Sequence, residues 1–74
     1  MNSQTLTFSS LSSLHEHLRG GQIVRLVSAS EVSTILIFIP SGQSPNQCRR
    51  VEIYVSEIGD VGGTSEPTEF SEWF

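Results

Sequence analysis

The residues with the greatest chemical potential in this chain are His15-Glu16-His17 and Cys48-Arg49-Arg50. Two histidines on a helix hold a metal when they stand at i and i+4, one above the other on one face. Here they stand at i and i+2, which turns them toward nearly opposite sides. Both are therefore expected on the flanks or solvent side of a helix, with no metal between them. Cys48 is the only cysteine. A thiol nucleophile needs a base within hydrogen-bond reach and donors for the developing oxyanion. Nothing in the sequence sets a base beside Cys48, so a structural thiol is the expectation.

The loop Ser41-Gly42-Gln43-Ser44-Pro45-Asn46-Gln47, with Arg49 and Arg50 behind it, has the outline of an anion contact. It lacks a phosphate-loop lysine and leads into a strand rather than a helix. Neighbouring strand residues face opposite ways, so the two arginines cannot enter one site. Arg25 lies between Val24 and Leu26 and is expected to pair with Glu52 or Glu57 across a sheet. No catalytic constellation emerges. The chain is expected to be a non-enzyme without metal or cofactor.

Charge sharpens this. The net charge is −4 over 74 residues, and there is no lysine. Arg19, Arg25, Arg49 and Arg50 balance Glu16, Glu31, Glu52 and Glu57, so the chain through Ile58 is neutral. The whole excess sits in Asp60, Glu66, Glu69 and Glu72. A phosphate-binding surface needs clustered cations, so nucleic acid is not an expected partner. A basic protein is. A lone cysteine fits a reducing compartment, and the N-terminus lacks the basic and apolar segments of a signal peptide. The longest apolar run, Ile35 to Ile39, is too short to span a bilayer. The expectation is a cytoplasmic protein with no membrane partner.

The elements that must position these residues are readable from periodicity. Gln4 to Phe8 alternates polar and apolar residues and predicts a strand. Ser9 or Ser10 can cap a helix, Leu11, Leu14 and Leu18 recur on one helical face, and Gly20-Gly21 supplies the stop. Strands are predicted over Gln22 to Ser28, over Val32 to Ile39 with Pro40 ending it, and over Cys48 to Glu57. In the last of these, Val51, Ile53 and Val55 share one face and Arg50, Glu52 and Tyr54 the other.

The predicted fold is α+β, with one short helix packed on a three- to four-stranded, mainly antiparallel sheet in the order β-α-β-β-β. Residues 1–58 are read as the single domain and 59–74 as a glycine-rich linker and acidic aromatic tail. One helix covers one sheet face. Ile35, Ile37 and Ile39 point to one side and Leu36 and Phe38 to the other, so a second face needs another cover. In the tail, Phe70, Trp73 and Phe74 stand at i, i+3 and i+4, and one helical turn would gather them beside Glu69 and Glu72. They would fold back over the sheet or dock into another protein.

The resulting expectation is a small protein-interaction module, an inhibitor or adaptor, with Phe38, Tyr54, Glu69, Phe70, Glu72, Trp73 and Phe74 as its partner-binding residues. A core this small favours a homodimer as well. The alternative is a small-ligand-binding homo-oligomer, with an interface pocket lined by Arg25, Tyr54 or polar groups of the loop. In size and charge the chain resembles phage- and plasmid-encoded inhibitors, such as anti-CRISPR and anti-restriction proteins. The analogy is one of size and charge alone.

Overall fold

A computed structural model describes residues 4–69. Strand β1 (Leu6–Phe8) is followed by helix α1 (Leu11–Leu18) and strands β2 (Gln22–Ala29), β3 (Ser33–Ile39), β4 (Arg49–Val55) and β5 (Val61–Pro67). A single 3-10 turn, Pro45–Gln47, interrupts the loop before β4. The fold is α+β, as expected, but the sheet has five strands in the order β1-β5-β4-β3-β2, every neighbouring pair antiparallel.

The additional strand is the stretch read as a linker. Gly62 and Gly63 sit within β5, between β4 and β1. Glycine weakens a strand by propensity, yet here it answers a spatial demand. A Cβ at Gly63 would stand 2.5 Å from the Glu52 carbonyl oxygen. A boundary at residue 58 therefore cuts through the sheet, because among the described strands β1 pairs with β5 alone.

Local chemistry explains the ends of the elements. The Ser10 hydroxyl accepts a hydrogen bond from the Ser13 backbone N–H at 3.2 Å and caps α1. Gly20, at φ +76°, takes the left-handed conformation that ends it. Between β2 and β3, the Ser30 hydroxyl oxygen accepts the Ser33 N–H at 3.1 Å and closes the turn.

Phe8, Leu14, Leu36, Phe38 and Val51 form the core, with Leu18, Ile53 and Val61 packed against it. The register aligns Leu36, Val51 and Ser65 across β3, β4 and β5, so they share the face that receives the helix. Phe38 is 0 % exposed. It is a core residue, and the expectation that it meets a partner is corrected: a ring enclosed by its own fold offers no contact surface.

The other face is not a bare apolar plane. Ile37 lies opposite Arg25 on one side and Arg50 on the other, and it is fully buried between these long side chains. Arg50 reaches Glu52 at 3.8 Å and Glu66 at 3.6 Å. The Ser33 hydroxyl donates to Glu52 at 3.4 Å. Among the exposed apolar side chains, Ile23 and Leu26 lie on the helix side, over β2. Helix α1 packs over β1 and β5, so Ile23 and Leu26, aligned with Phe38 and Leu36, remain 57 % and 60 % exposed. Among the described residues no helix is long and apolar enough to cross a membrane.

Candidate functional site

Three polar side chains from three elements meet where α1 crosses the sheet. His17 comes from α1, Arg49 from the start of β4 and Ser65 from β5. His17 follows Leu14 by three residues and precedes Leu18, so helical geometry places it on the inward face. Its ring lies between Phe8 and Phe38, with centroid separations of 4.8 and 5.0 Å. The expectation of two solvent-side histidines thus holds for exposed His15 and fails for His17. The i, i+3 relation to Leu14 is the signal that identifies the inward one.

Ser65 is fully buried and serves as the hub. Arg49 Nε donates to its hydroxyl oxygen at 2.7 Å, and Arg49 Nη2 donates to its carbonyl oxygen at 2.8 Å. Nη2 also donates to the Gln4 carbonyl, tying the segment before β1 to the far side of β5. His17 Nε2 stands 2.9 Å from the Ser65 hydroxyl. Burial, and then the nearby Arg49 charge, hold the His17 pKa below its ordinary value, which favours the neutral ring. A neutral ring with bare Nε2 accepts the Ser65 proton while Arg49 occupies a lone pair of the same oxygen. All three groups are then satisfied, and no buried side-chain polar atom among the described residues lacks a partner.

This is a serine–histidine pair, but its geometry is that of a tie. A nucleophilic hydroxyl must meet substrate, whereas Ser65 is sealed between Arg49 and His17. Cys48, next in the chain to Arg49, is also buried. Its thiol donates to the Thr68 carbonyl oxygen at 3.5 Å, and burial pushes its pKa up, away from the reactive thiolate. No cluster of three or more metal-ligating side chains exists among the described residues.

Beside the tie lies a cleft of about 390 Å³. Among the described residues it is lined by His17, Cys48, Arg49 and Thr68, by apolar Leu6, Pro40 and Pro67, and by Gln43, Asn46 and Gln47 of the loop. From the sequence this loop has the outline of an anion contact, but its two arginines cannot enter one site. The structure separates those arginines as alternation requires, with Arg49 turned to Ser65 and the cleft, and Arg50 to the opposite face. Arg25 stands opposite Ile37, and neither it nor Tyr54 borders this cleft. Tyr54 is partly exposed on the far face, opposite Gly62, and Glu69 is exposed at the end of the described chain. Phe70, Glu72, Trp73 and Phe74 lie outside the described residues.

Comparison with protein-family models, with curated proteins and with solved structures finds no match to this chain. Function has to be argued from the molecule itself.

Proposed function

We propose that the protein is a small non-enzymatic interaction module whose binding surface is the helix-side face of β2. The observation that carries this reading is the exposure of Ile23 and Leu26 on an edge strand that runs from Gln22 to Ala29. In a chain with so small a core, large apolar side chains left beside that core are a docking surface by default. The register of β2 against β3 shifts at two places, between Ile23 and Arg25 and between Leu26 and Ser28. Such bulges twist an edge and spoil its ladder for strand addition. A partner would read the side chains rather than extend the sheet. The sealed Ser65 supports the non-enzymatic part of the reading.

Of the tail acids, Glu66 is already paired with Arg50. A preference for a basic partner would then rest on Asp60, Glu69 and Glu72, with Phe70, Trp73 and Phe74 as additional anchors. A second copy of the chain is the first occupant to test. Sedimentation of the wild type and of an Ile23→Lys, Leu26→Lys double variant, with capture of host proteins by both, decides the matter. The expected result is that the wild type self-associates or retains a partner and the variant, still folded by circular dichroism, does neither. If the two proteins sediment alike and retain the same set, the β2 reading is wrong.

A further inference from the structure

The cleft beside Arg49 has a charge character opposite to that of the protein as a whole. The chain carries a net charge of −4, yet among the described residues no carboxylate lines the cleft. Arg49 and His17 do. Arg49 is half-buried, and its contacts are a hydroxyl and two carbonyl oxygens. Among the described residues the arginines that reach a carboxylate at ion-pair distance include Arg19 and Arg50, but not Arg49. Glu66, the acid that acts on Arg49 most strongly, sits on the opposite face and is held there by Arg50. A partly desolvated cation without an adjacent counter-ion is costly, and an incoming anion offsets that cost.

The loop side of the cleft points the same way. The Ser44 backbone N–H donates to Gln47 Oε1 at 3.3 Å. A backbone N–H can only donate, so this contact identifies Oε1 as the accepting end and leaves the Gln47 NH₂ outside this bond. Asn46 also spends its carbonyl oxygen on Ser44, whose hydroxyl donates to it. The acceptor ends of both amides are consumed locally and their donor ends remain. Arg49 uses Nε and Nη2 on Ser65 and Gln4, which locks the guanidinium plane and leaves Nη1 outside these bonds. A donor-rich rim around a fixed guanidinium, set between apolar walls, is preorganised for an acceptor-only group on an apolar body.

We propose that this cleft binds a small organic carboxylate, with the anionic group on Arg49 and the loop amides and the apolar body against Leu6, Pro40 and Pro67. The volume of about 390 Å³ is within the range of small-molecule sites. The site is complete within one chain and does not depend on whether β2 docks a protein.

The test uses the full chain, labelled with ¹⁵N, at constant ionic strength and neutral pH. Benzoate is the probe, benzamide its neutral isostere, and inorganic phosphate an anion without an apolar body. The expected result is saturable shifts from benzoate confined to residues 43–49 and 65–68, with benzamide and phosphate each binding about tenfold more weakly. Equal binding of benzoate and benzamide would overturn the proposal, as would benzoate shifts that never saturate or that scatter over β2 and β3. Phosphate binding as tightly as benzoate would overturn the role given to the apolar walls. Arg49 also supports the fold, so the deciding variant is Gln47→Leu on the exposed loop. It should keep the spectrum of the folded protein and weaken benzoate several-fold. Unchanged benzoate affinity in that variant would count against the proposed rim.

Discussion

His17 Nε2 and the Ser65 hydroxyl stand 2.9 Å apart across 48 residues of chain, and this contact ties the only α-helix among the described residues to strand β5 inside the sheet. Because Arg49 donates to the same hydroxyl, a proton on His17 would bring two cations to one buried oxygen. The fold therefore favours neutral His17. Its pKa is lowered in the folded state, while the unfolded chain titrates near the ordinary 6.5. Below that value the unfolded chain binds the proton more readily, so stability falls as pH drops through 6.5 toward the folded pKa and is fully present above it. Urea unfolding at pH 7.5 and at pH 5.5 should show a lower midpoint at the acid pH. The His17→Gln variant should lose most of that difference; an undiminished difference would assign it to other groups.

Ser65 satisfies Arg49 Nε, His17 Nε2 and its own hydroxyl at a position with no solvent access. Ser65→Ala removes the hub and leaves the partly buried Arg49 Nε and His17 Nε2 without this partner, at a cost of about 1–3 kcal/mol. Chemical denaturation measures it directly. A loss within about 0.5 kcal/mol, the range of ordinary surface substitutions, would mean that water replaces the hydroxyl and that the tie is dispensable.

Two glycines separate steric from conformational need. At Gly63 a Cβ would strike the Glu52 carbonyl oxygen, so Gly63→Ala must push β5 from β4. At Gly42 the surroundings are open and only the positive φ of 78° resists a side chain. Gly42→Ala should cost about 1 kcal/mol and Gly63→Ala clearly more. Thermal melts of the two variants side by side check the order, and a milder effect at Gly63 would mean that the strands separate easily there.

Truncation tests where the folded unit ends. A chain cut after Ile58 loses β5, which is the only strand neighbour of β1 and one of the two neighbours of β4. It should be unfolded by circular dichroism. A chain cut after Glu69 keeps every strand described here and should remain folded. A cut before Glu66 would remove the end of β5 together with the residues beyond it and so confuse folding with binding. A cooperative melt from the chain ending at Ile58 would restore the domain boundary expected from composition.

Packing also decides how substitutions divide. Phe38→Ala should cost about 3–5 kcal/mol, because the ring is enclosed against His17 and the core. Leu26→Ala, on a side chain that is 60 % exposed, should change stability by about 0.5 kcal/mol or less. Equal losses in equilibrium unfolding would show that β2 is part of the core rather than a surface beside it.

Periodicity and end signals, taken from the sequence alone, determined the helix, a serine cap at Ser9 or Ser10, a glycine stop at Gly20-Gly21, strands β1 to β4 and the opposite facing of Arg49 and Arg50. These are local properties: residue spacing sets which way a side chain points, and cap or turn chemistry sets where an element stops. Which strands lie side by side is a different kind of information. The backbone ladder is the same for every residue, so nothing in Val61 to Pro67 announces that it pairs with both β4 and β1. Gly62 and Gly63 read as a flexible link until the Glu52 carbonyl shows that no larger residue fits at Gly63. Nothing in the segments of His17, Arg49 and Ser65 points each to the others, and their meeting exists only once β5 is inserted between the first strand and the fourth. Tertiary structure alone decided the tie, the cleft beside it and the uncovered face of β2, because each depends on distances between segments that the chain order keeps apart.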